Sequence, residues 1–525
     1  MVFQGHRLPP SPSLHQHPLR QTWAKVLRLL LPSFVADYVF PDHRPTWRLH
    51  PTSYLDGLRG IAAILVFFCH YTENNFSALT PSYGLNPDGT LSSLIQLPYL
   101  RIIFSGRPMV HIFFVISGFA LSYKPLKAIH ARDLDKCYTA LASSTFRRPF
   151  RLFGPCIAST FLILLLRQMG YLKPALDTWT EELWKWKGAV FHQITWPWAW
   201  DRDLRPAYDI HLWTIPIEFA HSMLLFMVLL MLSRVRLRIR MATVFGLMMY
   251  CLACGKWAGF EFLSGMFLAE IHILQSAARA KEWENKGEQE ETTSQSVMKT
   301  LQICIILTGL FIGGWPNKDA DLTPGIRYFL AQTPTPFGKR VPVVGPQNLT
   351  IMNPYNYVPQ KLVDPLAPQK FWFGLSAVAM VWAVGELDSL RRFFEAPLAQ
   401  YCGRISYAVY ICHGPMEDLF KALLLGTAEV PARGEPGAAN YKAAVPAAGV
   451  KGYFGVETAL QVTMSWFVGL CLLGPVVIWA ADVFWRAVDT PVVGLARRLE
   501  TACLDEEEGS SKSGSQGCLG YSFAG

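Results

Sequence analysis

The sequence predicts an all-α fold, a polytopic transmembrane bundle of about ten membrane helices. Three observations point there. Apolar runs of about 15 to 25 residues, near the roughly 20 that span a bilayer, recur along the chain. Of the 525 residues, 51% are hydrophobic and only 17% charged, below the roughly 25% charged of soluble domains. The Lys and Arg that give a net charge of +9 gather in short clusters beside apolar runs, as at the cytosolic ends of membrane helices. That placement excludes nucleic acid as the partner of the positive charge and leaves the lipid bilayer.

Three domains are expected: a cytosolic segment 1–50, a membrane domain 51–485 and a cytosolic, partly disordered tail 486–525. The first seventeen residues are polar, with no signal-peptide core. Segment 26–40 is apolar but broken by Pro32, which favours an interfacial helix. The spanning runs lie near 57–71, 109–123, 152–169, 211–232, 241–256, 260–274, 301–315, 371–385, 405–425 and 456–481. The fifth and sixth also read as one hairpin turned at 257–259. Loop 177–209 carries six tryptophans, an interfacial aromatic belt or a substrate-stacking surface. Loop 316–370, rich in Pro, Asn and Gln, is a loop or lid. The tail after Asp505 is acidic, then Ser/Gly-rich, and reads as disordered.

Charge placement sets the orientation. With both termini cytosolic, the inner loops hold Lys124, Lys127, Arg132, Lys136, Arg147, Arg148 and Arg151, then Arg234, Arg236, Arg238 and Arg240. The outer loops are longer and their basic residues are sparser or offset by acids. Two glycosylation sequons, at Asn75 and Asn348, both fall outside. An endomembrane location, endoplasmic reticulum or Golgi, follows from this reading. The 11 cysteines are scattered, without CxxC or Cys/His ligand spacing, so neither a disulfide framework nor a metal site is expected.

Ionisable groups inside membrane helices cost about 2.5–3.5 kcal/mol each and mark function by default. Arg59 and His70 lie eleven positions apart in the first run. At 100° per residue they share one helix face, roughly 16 Å apart. A phosphate-bearing donor held by Arg59 would present its reactive end toward His70; the plainer reading is a snorkelling Arg and a helix-end His. Ser117-Gly118 permits close helix approach, and no Gly-x-Ser-x-Gly elbow surrounds Ser117. His111 reads as decoration of a lumenal helix end. Arg147, Arg148 and Arg151 are either positive-inside topology or a phosphate clamp, since guanidinium forks bind phosphate bidentately. Glu218, opening a strongly apolar stretch, would orient a histidine, bind an acceptor hydroxyl or pair with an Arg. Arg404 precedes His413 much as Arg59 precedes His70.

Five passages, YLDGLRGIAAILVFFCH, FFVISGF, RRPFRLFGP, LWTIPIEF and SYAVYICHGP, together resemble the acyltransferase 3 family of multi-pass membrane O-acyltransferases, in the family's order and over residues 54–481. The resemblance implies transfer of an acyl group, often acetyl, from acyl-CoA to a hydroxyl. It places the family's Arg-x10-His signature on Arg59 and His70 and its arginine-rich motif on Arg147, Arg148 and Arg151. Acyl-CoA is then a co-substrate, with no permanently bound cofactor. His70 would be the general base or would carry the acyl group covalently, with Glu218 or His413 orienting it or the acceptor. The expected acceptor is a hydroxyl of a small natural product, a terpenoid or polyketide. A cell-surface glycan or glycolipid is the alternative, and a proton-coupled secondary transporter is the rival from another class. The absence of duplicated halves weighs against the transporter.

Overall fold

A computed structural model describes residues 26–39, 49–86, 91–172, 178–286, 293–316, 319–334, 336–337, 367–425 and 449–504. The chain forms two units, 1–47 and 48–525. In the first, residues 26–30 and Ser33–Val39 are helical on either side of Pro32. Leu27, Leu30, Phe34 and Tyr38 are exposed, the apolar surface expected of an interfacial segment.

The second unit is helical, with no strand among the described residues. Its principal helices are α1 (Ser53–Asn75), α2 (Arg107–His130), α3 (Leu134–Gln168), α4 (Thr214–Leu232), α5 (Leu237–Ala253), α6 (Trp257–Lys286), α7 (Thr293–Gly313), α8 (Ala367–Glu386), α9 (Asp388–Glu395), α10 (Pro397–Leu425), α11 (Ala459–Phe484) and α12 (Thr490–Cys503). A helix forms at each apolar run, but among the described residues six are long and apolar enough to cross a membrane, or seven if α8 and α9, bent by 93°, count as one. The expectation of about ten accepted runs of about 15 residues. The helix α5 has only 17, and α10 carries Arg404, His413, Glu417, Asp418 and Lys421 along its length. The fifth and sixth runs are separate helices, joined at 254–256. Most of loop 316–370, and with it Asn348, lies outside the described residues, as does the tail from 505.

The helix α1 is shared by two cores. Leu55, Leu58, Ala62 and Val66 pack into one with α2, α4, α5, α6 and α8. Ala63, Phe67 and Tyr71 pack into the other with α3, α10 and α11. Two apolar faces leave a third stripe of the helix for polar groups, and Arg59 and His70 occupy it. Close approach is bought with glycine. A side chain at Gly60 would overlap the backbone of Cys402 and Gly403 on α10, and one at Gly118 would meet the Phe262 backbone of α6. Small residues at such seams let membrane helices pack through their backbones. Gly60→Val should therefore cost about 3 kcal/mol, read as loss of the monodisperse peak or a clear fall in melting temperature of detergent-purified protein. An unchanged melting temperature would show that the seam is looser than drawn.

Candidate active site

The helices α1 and α10 run parallel, with contacts at a nearly constant sequence offset. Arg59 Nη2 reaches Gly403 O at 3.4 Å near one end, and Asn74 Nδ2 donates to Glu417 Oε1 at 3.0 Å near the other. This register sets His70 beside His413, rings stacked at 5.3 Å, and puts Arg59 and Arg404 together at the N-terminal ends of the two helices. That end also holds the C-terminal part of α2, where Tyr123 meets His272, itself against Tyr54 of α1.

From there a cavity of about 1420 Å³, its mouth included, runs inward. Thr52 and Asp56 stand at the N-terminal end of α1, and Arg59, Arg148, Arg151 and Arg404 line the wall with Glu218 and Asp489. Arg59 pairs with Asp56 at 2.9 Å. Arg148 donates to Glu218 Oε1 at 2.8 Å and to Ser222 Oγ at 3.0 Å, and Ser117 Oγ donates to the same carboxylate oxygen at 3.0 Å. Four guanidinium groups in one apolar-walled chamber fit an anionic ligand with several phosphate oxygens.

Thr214, Ile215 and Tyr410 also line the cavity. The Thr214 hydroxyl lies 2.7 Å from Tyr410 Oη, and Tyr410 donates to the carbonyl of His211. At this turn three imidazoles meet. His211 lies 4.4 Å from His70 and 4.5 Å from His413, ring centre to ring centre. His211 Nδ1 donates to Asp209 Oδ1 at 2.8 Å, and the same oxygen accepts the His211 backbone N–H at 3.0 Å. His413 Nδ1 donates to Val409 O at 3.1 Å, leaving a buried Nε2 without a hydrogen bond. Each of these bonds fixes the proton on Nδ1 and leaves Nε2 as an acceptor. One ring nitrogen from each histidine lies within 4.8 Å of the others, the donor type that holds zinc; a metal ion, if the protein takes one, would sit here.

The expected site residues thus divide between two neighbouring places. Arg59, Arg148, Arg151 and Glu218 line the cavity, and His70 and His413 lie in the histidine cluster. Arg147 is elsewhere: its Nε pairs with Glu500 Oε2 of α12 at 3.2 Å, because one step along the helix turns it about 100° from Arg148. Of the three readings for Glu218, the structure shows the pair with an Arg. His111 is not surface decoration; it is buried, with Nδ1 at 2.5 Å from Glu261 Oε1 and its ring against Trp257. The Asn75 amide nitrogen, the atom a glycan would take, donates to Tyr71 O and Glu417 Oε1. Asp209, His211, Tyr410 and Asp489 were not legible as site residues. His211 stood inside a quoted motif, but its neighbours come from α1 and α10, and no local spacing announces that meeting.

The comparisons with known proteins agree with this architecture. The family model described as an acyltransferase domain matches residues 52–486. The chain is 32% identical to O-acetyltransferase PaAT-1 of Phomopsis amygdali over 72% of this chain and 74% of that protein. It is 23% identical to acyltransferase clz18 of Cochliobolus lunatus, over 71% and 84% of the two chains, and 23% identical to acyltransferase R4 of a Phoma species, over 69% and 82%. No solved structure matches significantly. An arginine-walled cavity, a histidine cluster beside it and a family match over most of the chain lead to one assignment: the chain belongs to the acyltransferase 3 family and is a membrane O-acyltransferase.

Proposed function

We propose that the protein moves an acyl group, acetyl by preference, from acyl-CoA to a hydroxyl of a small natural product such as a terpenoid or polyketide. The observation that carries this reading is the cavity itself, walled by Arg59, Arg148, Arg151 and Arg404 and reaching the turn that holds His211. The diphosphate and 3′-phosphate of CoA match those guanidinium groups. The pantetheine arm then runs along α1, from Arg59 toward His70, a rise of roughly 16 Å. Acetyl is favoured by the name of the Phomopsis relative, an O-acetyltransferase.

His70 then accepts the hydroxyl proton as the acceptor oxygen attacks the thioester carbonyl, the C–S bond breaks and CoA leaves as the thiol. Trp213 follows the His211 turn and faces Trp257 at 6.4 Å, an aromatic flank suited to a ring-bearing acceptor. With both termini cytosolic in an endomembrane, the mouth beside Thr52 and Asp56 opens toward the cytosolic pool of acyl-CoA. The basic residues at the α4–α5 junction support that orientation.

The test is acetyl-CoA binding to detergent-purified wild type and to the Arg148/Arg151 double alanine variant, followed by turnover against a panel of hydroxylated terpenoids and polyketides. Saturable binding lost in the variant, with ester product in the wild type, is expected. A folded protein that binds no acyl-CoA would overturn the reading, and turnover only with glycans would overturn the acceptor class.

A further inference from the structure

Between its arginines and the His211 turn, the cavity is apolar on the α2 side, where Val110, Phe113 and Phe114 line it. The hydroxyls on its other sides donate into the protein. Tyr407 donates to Leu152 O at 2.6 Å, Ser406 to Gly403 O at 2.8 Å, and Tyr410 to His211 O, with Thr214 donating to Tyr410. Ser117 and Arg148 both donate to Glu218. What these groups leave toward the cavity is acceptor capacity, and Glu218 is the strongest acceptor among them. Both bonds to it end on Oε1. Its Oε2 accepts no hydrogen bond from a described residue, and the side chain is 21% exposed on the cavity wall. A carboxylate oxygen without a donor is an open place for an N–H or O–H.

Position narrows the choice of ligand group. Glu218 lies four residues from Thr214 on α4, and Tyr410, which meets Thr214, lies three from His413 on α10. Those rises of about 6 Å and 4.5 Å set Glu218 roughly 10 Å from the histidine end of the cavity. In acyl-CoA the pantetheine arm covers that stretch. The arm has two amides, and the nitrogen of the one farther from the sulfur is seven bonds away, roughly 8 Å in an extended chain.

Resting on the reading of the cavity as an acyl-CoA site, we propose that Glu218 binds the pantetheine arm, its Oε2 accepting the N–H of that farther amide. Arg148 and Ser117 hold Oε1 and so fix the aim of the carboxylate, which gives Arg148 a second task beside phosphate binding. An amide carried out of water into an apolar-walled chamber loses affinity unless its N–H is paired. Gripped there, the arm also sets how far the thioester reaches toward His70, because the carbonyl lies a fixed number of bonds beyond the amide. The attacking hydroxyl must lie beside His70, so Glu218, more than a helical turn away, does not touch it.

The experiment compares acetyl-CoA with its analogue in which an ester oxygen replaces the amide nitrogen farther from the sulfur. Each donor is turned over, with an acceptor that the wild type esterifies, by detergent-purified wild type and Glu218→Gln. The variant keeps an oxygen for Arg148 and Ser117 and turns an N–H₂ group toward the arm in place of Oε2. The wild type is expected to lose roughly 10-fold or more in kcat/KM from amide to ester, as for one hydrogen bond to a charged group. In Glu218→Gln the two donors differ by less than about threefold, the signature of a direct contact in a double-change cycle. A merely structural role would lower both donors alike and keep the wild-type ratio, and that result overturns the proposal. So does a wild type that uses the two donors within about twofold of each other, a result that decides the matter even where Glu218→Gln does not fold. Absence of acyl transfer from acetyl-CoA by the wild type would sink the functional reading and this contact with it, whereas turnover with both donors used equally sinks the contact alone.

Discussion

His70→Ala abolishes ester formation, lowering kcat by about 1000-fold or more, while acetyl-CoA binding stays near that of the wild type. The expectation follows from the division of the site. In the proposed reading the donor's phosphates are held in the arginine cavity, on whose wall His70 does not stand, so its removal leaves ground-state binding alone and strikes only the chemical step. The fold tolerates the change because His70 packs with two imidazoles and makes no close ion pair; its Glu73 contact is 3.9 Å. A rapid-quench experiment with labelled acetyl-CoA and no acceptor separates the two routes through this residue. Label retained on wild-type protein and absent from His70→Ala marks an acyl-histidine, and absence of label from both marks direct transfer. A purified variant with wild-type kcat would remove His70 from the mechanism altogether.

Arg148→Ala raises the apparent KM for the donor by roughly 10- to 150-fold, the loss of one charge-assisted contact of about 1.5–3 kcal/mol. It also strips Glu218 of its 2.8 Å partner, leaving a carboxylate only 21% exposed with the Ser117 hydroxyl and the more distant charge of Arg151. Breaking such a pair costs up to about 3 kcal/mol of stability. The double variant with Glu218→Gln separates the effects: melting temperature recovers and the donor KM does not. Arg147→Ala is the control, because that side chain points to Glu500. Its donor KM stays within about twofold of wild type. Equal effects at the two arginines would mean that the cluster acts as diffuse positive charge, without the directed contacts drawn from the cavity.

The sequence by itself determined the helical class, the membrane environment and the family. Those rest on local properties: run lengths, charge placement and motifs in order. It also paired Arg59 with His70, because helical periodicity alone puts positions eleven apart on one face. A helix stands at each of its ten apolar runs, and six or seven of them among the described residues are long and apolar enough to span; a polar, site-lining helix such as α10 and a short one such as α5 fall short of that measure. Tertiary structure decided the rest. Which arginine of Arg147, Arg148 and Arg151 faces inward depends on the rotation of α3 against α4 and α12, which no count of charges contains. The histidine cluster needs α1 and α10 held parallel through the glycine seam at Gly60 and Gly403, and the Asp209–His211 turn seated beside both. Those three histidines are 141 and 202 positions apart in sequence, so only packing brings their rings within 5.3 Å.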